Sequence, residues 1–136
     1  MPRATFAFAV PRGQRFDDTQ GVPDTLRVWR GLDPVRAWNA ANYNLLSPSN
    51  SVHYAALRTE ELSTAASDCT TLPALRTRFP NWKMATFTIG QARAAGYVAM
   101  RDPTNVEDVV LYSRADPDNT APKSVAKALA AVAQIV

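Results

Sequence analysis

The chain of 136 residues has few of the residue types that build common protein sites. Its single cysteine, Cys69, cannot form an intramolecular disulfide, and one cysteine with one histidine cannot supply a structural zinc site. Only five glycines are present, and none belongs to a loop of the kind that cradles phosphate groups. We therefore expect no disulfide framework, no structural metal site and no glycine-rich phosphate loop.

Long apolar runs are also missing, so we expect no membrane-spanning helix and no membrane contact. Residues 1–5 are not a basic segment leading into an apolar core, so they predict no secretory signal peptide. The expected location is therefore cytoplasmic. A toxin with this sequence would need an export route that uses no signal peptide.

The positive charge is small and dispersed, with fifteen Lys and Arg residues against twelve Asp and Glu and a net charge of +3. Chains that bind nucleic acid usually cluster their cations and place aromatic residues among them for base stacking. No cationic run here reaches four residues. The charge pattern favours a mildly basic, solvated surface over nucleic-acid binding.

Turn-forming residues divide the chain into short elements. Alternating apolar residues predict strands over residues 25–30, 51–57, 83–89, 97–100 and 109–112, with helix left open for 51–57 because of its alanines. The strands at 97–100 and 109–112 form a predicted antiparallel hairpin. Helical spacing and capping residues predict helices over 33–42, 60–66, 71–79 and 91–95. This mixture predicts an α+β fold, in which short helices pack on a mostly antiparallel sheet within one compact domain.

The C-terminal residues predict an amphipathic helix that packs on the sheet. Thr120 is the expected N-cap, and Pro122 lies in the first turn, where its fixed φ suits a helix. Apolar residues at intervals of four, three and four form a one-sided stripe: Val125, Leu129, Val132 and Val136.

Residues 1–24 form a predicted N-terminal extension or arm, and residues 25–136 form the predicted domain. Phe6, Phe8 and Val10 share one face of a short predicted strand, and a turn-rich segment follows. The apolar face needs a partner surface. We therefore expect residues 1–10 to pack on another protein, on a second copy of this chain, or on the domain's own sheet edge.

Four aromatic or imidazole side chains are candidate binding residues. Trp82 and Tyr43 lie on predicted loops, where they are the expected surface contacts. His53 and Tyr54 lie in a predicted strand. A single histidine of this kind is more often structural than catalytic, because geometry rather than residue type makes a general base.

Three segments follow one another in an order that resembles mono-ADP-ribosyltransferases of the Arg–Ser-Thr-Ser–Glu type. They are Trp29-Arg30-Gly31 at the end of an early strand, Thr86-Phe87-Thr88 on a middle strand, and Glu107-Asp108-Val109 at the start of a late strand. The resemblance implies an enzyme that uses NAD.

By this resemblance Arg30 would hold the NAD phosphates, and Thr86 and Thr88 would shape the nicotinamide pocket. Asp108 stands where the family has its catalytic glutamate, and the missing methylene displaces a carboxylate by about 1 Å. His53 and Tyr54 would line the same cleft. All these side chains must then converge on one cavity.

A second resemblance covers residues 25–136 and rests on Arg58-Thr59-Glu60-Glu61-Leu62, Ala92-Arg93-Ala94-Ala95-Gly96 and Asp102-Pro103. These segments are similar to those of a group of small uncharacterised bacterial proteins, which implies one compact bacterial domain and no particular activity. Without a specific catalytic constellation, the sequence favours a soluble, non-enzymatic protein-binding or accessory domain. The alternative is an ADP-ribosyltransferase-like toxin or modifying enzyme with NAD as its cofactor.

Overall fold

The computed structural model of the chain describes residues 8–33 and 52–136. Three predictions fall outside this part of the chain. They are the packing of residues 1–7, almost all of the helix over residues 33–42, and the surface position of Tyr43.

The described residues form one antiparallel sheet with short helices. Its strands are β1 (Arg27–Leu32), β2 (Leu62–Ala66), β3 (Lys83–Thr88), β4 (Tyr97–Asp102), β5 (Asn105–Ser113) and β6 (Gln134–Ile135), in the order β4-β5-β2-β1-β3-β6. A 3₁₀ helix (Tyr54–Leu57) and three α-helices complete the described fold: α1 (Leu72–Arg78), α2 (Ile89–Ala95) and α3 (Lys123–Val132). The predicted α+β class with a mostly antiparallel sheet is confirmed. No helix in the described ranges is long and apolar enough to cross a membrane.

Local capping signals determine both ends of α1 and α2, although α2 begins two residues before the predicted start at residue 91. The Thr71 hydroxyl accepts the Ala74 amide at 3.2 Å and begins α1. Thr88 and Gln91 form a reciprocal capping box at the start of α2, which ends at Gly96 with φ of +122°. A β-carbon at Gly96 would also lie 3.0 Å from a Val125 methyl group, so glycine suits this position for both reasons.

One open alternative is decided, and one element prediction is wrong. Residues 54–57 form a 3₁₀ helix, the helical alternative to the predicted strand, because the His53 imidazole accepts the Ala55 amide at 3.1 Å and caps a helical turn. Residues 62–66 form strand β2 instead of a helix. Their buried positions alternate, and the segment lies between β1 and β5, so sheet packing overrides the helical preference of its alanines.

The C-terminal helix is present but shorter than its apolar stripe predicts. It follows Pro122 without a side-chain cap, so the predicted capping by Thr120 is wrong. Leu129 is fully buried as predicted, whereas Val132 and Val136 are 43% and 40% exposed. The helix ends at Val132, because the chain then turns to pair Ile135 with Ala85 of β3.

The main core lies between one face of the sheet and the helices α2, α3 and the 3₁₀ helix. Val28, Phe87 and Leu111 project from the strands into this core, and Leu129 projects from α3. The Tyr97 hydroxyl donates to the Leu57 carbonyl at 2.8 Å, so this buried polar group is satisfied. We call this the core face of the sheet.

Within residues 8–33 and 52–136, two separate pieces of chain cover the opposite side of the sheet, which we call the second face. Val10 of the N-terminal segment packs there against Val98, Val110 and Tyr112 on β4 and β5. Leu75 of α1 is buried over the β1–β2 half, where it borders a groove. In the part of the chain that the structure describes, the N-terminal segment and α1 therefore each cover a different half of the second face.

The described part of the predicted N-terminal arm lies against the domain. Val22 is fully buried in the main core, and the Asp18 amide donates to the Ala99 carbonyl of edge strand β4 at 2.8 Å. Arg93 of α2 binds the carboxylates of Asp17 at 2.9 Å and Asp24 at 2.8 Å. Residues 17–24 are thus held by both burial and charge, and the domain boundary near residue 25 stays a prediction.

Candidate functional site

A groove of about 180 Å³ lies on the second face, between α1 and the sheet. Its apolar and aromatic lining comes from α1, the turn after it and strands β1 and β3: Trp29, Leu75, Phe79, Trp82 and Met84. Backbone and small side chains of β2 and Gly31 of β1 complete the floor.

A glycine lets the Trp82 ring lie directly on strand β1. A β-carbon built at Gly31 would stand 2.8 Å from Cε3 and 3.0 Å from Cζ3 of Trp82, closer than carbon atoms pack. The Phe79 ring contacts Trp82 from the other direction, with ring centroids 4.6 Å apart and planes tilted by 30°. The absence of a side chain at Gly31 therefore allows the Trp82 ring, together with Phe79, to pack close to the backbone of β1.

The end of α1 determines the spacing of the two rings. The Phe79 amide donates to the Leu75 carbonyl at 2.8 Å, and the Trp82 amide donates to the Phe79 carbonyl at 3.1 Å. These bonds fold residues 79–82 into a turn at Pro80-Asn81, where the sequence predicts that the helix stops. The turn carries both rings back over the sheet.

Charged groups border the groove where β5 begins. The Arg78 guanidinium donates to the Glu107 carboxylate at 3.0 Å, joining α1 to β5. Asp108 is in register with Ala65 of β2, and Ala65 is in register with Trp29 of β1. Because side chains in register share a face, the Asp108 carboxylate lies on the same face as Trp29.

Arg30 also borders the groove, but its side chain lies on the core face. It is in register with buried Ala85 and alternates with buried Val28 and Leu32. Its guanidinium donates to the carbonyls of Ala56 at 3.3 Å and Ser63 at 3.2 Å. Arg30 and Asp108 are therefore brought near one groove from opposite faces of the sheet.

The two candidate threonines have structural hydrogen bonds and do not line the groove. The Thr86 hydroxyl donates to the Val28 carbonyl at 3.1 Å and accepts from Arg27 at 3.1 Å. The Thr88 hydroxyl caps α2 by accepting the Gln91 amide at 3.2 Å. The structure does not bring Arg30, Thr86, Thr88 and Asp108 together around one cavity.

His53 and Tyr54 lie in a different place, beside α3. Their rings contact each other with centroids 4.5 Å apart and planes tilted by 32°, and the ammonium groups of Lys123 and Lys127 stand 5.1 and 5.4 Å from the centroid of the Tyr54 ring. Burial, followed by the charge of the two lysines, lowers the pKa of His53. This cluster does not line the groove, whereas the candidate Trp82 does.

The sequence pointed to Trp82 but not to its partners. Trp29 and Phe79 looked like ordinary packing residues, and they reach Trp82 only through strand pairing and the turn after α1. The one local signal was Gly31 directly after the strand residues Trp29-Arg30, because glycine in a strand often marks a close approach.

Comparison with known proteins identifies no family for this chain. No family model matches the chain, and neither the curated proteins nor the solved structures contain a match. Within residues 8–33 and 52–136, no three His, Cys, Asp or Glu residues are grouped as metal ligands would be.

Proposed function

We propose that this chain is a protein-binding domain that receives a side chain of its partner in the groove on the second face. The observation that carries the proposal is the convergence of Trp29, Phe79 and Trp82 in one concave site. Tryptophan and other aromatic residues dominate the energetics of protein interfaces because they combine a large apolar area with few rotatable bonds. All three are only partly buried, so area remains for a partner to cover.

The size of the groove supports a side chain as the ligand. Pockets for cofactors and drug-sized molecules are roughly 300–1,000 Å³. A groove of about 180 Å³ is smaller than this range. It suits one inserted side chain with the rest of the partner lying outside, which is how anchor residues fill pockets at interfaces.

The ADP-ribosyltransferase alternative has less support from the same geometry. Arg30 directs its guanidinium to two backbone carbonyls on the core face, whereas Asp108 is on the second face. Thr86 and Thr88 use their hydroxyls in strand and helix-cap contacts. An NAD site built as in that family needs these groups around one cavity.

Selection of peptides from a random displayed library tests the proposal. Selected peptides are then titrated into the ¹⁵N-labelled protein, and the indole N–H signals of Trp29 and Trp82 are followed by NMR. We expect both signals to shift and binding to weaken in Trp82→Ala. Gly31→Ala is also expected to weaken it, since the added methyl group displaces the Trp82 ring.

Phe16→Ala is the matched control, because Phe16 is 56% exposed and lies outside the groove lining. This variant should bind the selected peptides as the unaltered protein does. Peptides that bind equally well to Trp82→Ala, or that shift neither indole signal, would show that the groove is not the binding site.

A further inference from the structure

We infer that residues 8–16 form an acid-sensitive strap, which lies on the second face at neutral pH and leaves it as a unit in acid while the rest of the described fold stays in place. Within the strap Val10 and Arg15 are buried, whereas Phe8 and Phe16 at its ends are 38% and 56% exposed. Few apolar side chains therefore hold the strap, and its polar contacts decide whether it stays.

One carboxylate binds both arginines of the strap. Arg12 and Arg15 pair with Glu60, which precedes β2, and the Arg15 pair measures 2.9 Å. Arg15 also donates to the Pro117 carbonyl in the loop before α3 at 2.8 Å. Glu60 is thus the counter-ion on which the side-chain contacts of the strap depend.

Carboxylates also hold the backbone of the strap. The Val10 amide donates to the Glu61 carboxylate at 3.3 Å, and the Gly13 amide donates to the Asp118 carboxylate at 2.9 Å. The Tyr112 hydroxyl donates to the same oxygen of Glu61 at 2.8 Å. Protonation of these carboxyl groups weakens each bond, because a charged acceptor forms a stronger hydrogen bond than a neutral one.

The Arg15 guanidinium needs its counter-ion because its side chain is fully buried. Its central carbon lies 4.7 Å from the Phe8 ring centroid and 4.6 Å from the Tyr112 centroid. Its Nη2 atom is buried and has no hydrogen-bond partner within the described residues. When Glu60 is protonated, a buried cation remains without a counter-ion, which is strongly unfavourable. Release of the strap returns this charge to water.

The direction of the pH effect follows from the contacts of Glu60. The hydrogen bond from Arg12, supported by Arg15, lowers the pKa of Glu60, while burial opposes this change. A carboxyl group of this kind favours the bound strap above its ordinary pKa of 4.5, and this contribution is lost as the pH falls through the lower folded value. The nearby charge of Asp118 attracts Arg12, and that of Asp102 acts on Tyr112 from β4. Neutralising Asp118 in acid also favours release.

Residues 17–26 are held in another way and should stay in place. Val22 and Leu26 are buried in the main core, and the Ile89 amide donates to the Leu26 carbonyl at 2.9 Å. Acid weakens the pair between Arg93 and Asp17, but it changes neither the apolar burial nor this backbone bond. The strap should therefore detach at the junction between residues 16 and 17.

Release of the strap uncovers an apolar surface next to the groove. Val98, Val110 and Tyr112 are the buried residues that pack around Val10. Val110 is in register with Ser63, which lines the groove, and side chains in register share a face. The uncovered surface is thus continuous with the groove across β2 and β5.

Backbone ¹⁵N relaxation, measured as the pH is lowered from about 7 to about 3, tests the inference on the unaltered protein. Order parameters of residues 9–16 should fall from about 0.85 to below about 0.6, with a midpoint below pH 4.5. Val22 and Ala126 should keep the rigid value throughout. Raising the pH should restore the order of the strap.

Glu60→Gln removes the counter-charge without acid, so the strap should already be flexible at pH 7. Asp68→Asn is the matched control, because Asp68 also pairs with an arginine, Arg101, which lowers its pKa in the same way. The strap of this control should be rigid at pH 7 and should detach in acid as in the unaltered protein.

Arg15→Met separates the buried charge from the other contacts of the strap. Without a buried cation, acid leaves no unpaired charge beneath the strap. The order parameters of residues 9–14 should then differ much less between neutral and acid solution than they do in the unaltered protein.

Three results on the unaltered protein would overturn the inference: a strap that stays rigid until Ala126 loses its order, loss of order at Val22 together with the strap, or a strap that is flexible at pH 7. A folded Glu60→Gln protein with a rigid strap at pH 7 would also overturn it. If Glu60→Gln does not fold, the acid titrations of the unaltered protein and of Arg15→Met decide.

Discussion

The two faces of the sheet are covered in different ways. Helices α2, α3 and the 3₁₀ helix pack on the core face over a continuous cluster that includes Val28, Phe87 and Leu111. The second face has a much smaller buried cluster around Tyr112, and its cover is divided between the N-terminal segment and α1. The groove lies on the half of this face that α1 covers.

The segments that pack on the two faces are also held by different kinds of contact. Helix α3 is held on the core face by apolar burial, with Ala126 and Leu129 fully buried. On the second face, ion pairs join the N-terminal segment and α1 to the sheet and its loops: Arg15 with Glu60, and Arg78 with Glu107. Apolar burial is therefore more extensive on the core face than on the second face, and it contributes correspondingly more to stability there.

The largest expected effect is a substitution in the core face. Leu129→Ala removes a fully buried side chain and should lower the free energy of unfolding by ~2–5 kcal/mol in urea melts, through lost burial and the cavity left behind. Val132→Ala, one turn later on the same helix and 43% exposed, should change it by less than about 0.5 kcal/mol. Equal effects of the two substitutions would contradict the assignment of the main core.

An intermediate effect is expected where the N-terminal segment is anchored. Arg15→Met keeps the aliphatic bulk but removes hydrogen bonds to the carbonyls of Val10 at 3.0 Å and Pro117 at 2.8 Å, together with the Glu60 pair. We expect a loss of roughly 1.5–3 kcal/mol in the urea-melt free energy, as for buried hydrogen bonds to charged groups.

Arg12→Met is the control for Arg15→Met, because Arg12 also binds Glu60 but has a side chain that is 59% exposed. It should unfold close to the unaltered protein. An Arg15→Met protein that is as stable as the Arg12→Met protein would show that the buried guanidinium is not the anchor of this segment.

The smallest effect is expected from pH. The hydrogen bond from Arg12, supported by Arg15, holds the pKa of Glu60 below its ordinary value. A carboxyl group whose pKa is lower in the folded state adds stability above its unfolded pKa, and this is lost as the pH falls through the folded value. We expect the urea midpoint to fall in acid, below about pH 4.5, and to fall less in Glu60→Gln.

Glu60→Gln isolates this effect from other carboxylates. The hydrogen bond from Arg101 likewise lowers the pKa of Asp68, so part of the acid sensitivity should remain in the variant. The two proteins should differ only in acid solution after their neutral-pH difference is subtracted. Parallel curves down to the lowest pH would contradict a stabilising role for the Glu60 contacts.

Much of the fold follows from local chemistry. Thr71 accepts a backbone amide at the start of α1, and Gly96 provides a left-handed end to α2, so these two boundaries are readable from residue types. Strand β3 and the β4–β5 hairpin follow from alternating β-branched and aromatic residues between turns. Segments rich in alanine were not readable: residues 62–66 have no strong preference of their own, and burial between two strands makes them a strand.

The candidate site was less accessible to sequence reasoning. Trp82 was identified, but the candidates Arg30, Thr86, Thr88 and Asp108 do not surround one cavity. Sequence order cannot show which sheet face each residue occupies relative to residues on other strands. A single step along a strand reverses the face, and the register is a product of tertiary packing.

The sequence by itself determined the fold class, both ends of α1, the end of α2 and the burial of Leu129, since each depends on local propensity or on the period of apolar residues. Only the tertiary structure decided which side chains meet. It brought Trp29, Phe79 and Trp82 to one groove and directed the Arg30 guanidinium away from it. The physical reason is that strand order and register link residues more than fifty positions apart, and these links depend on the burial of the whole sheet.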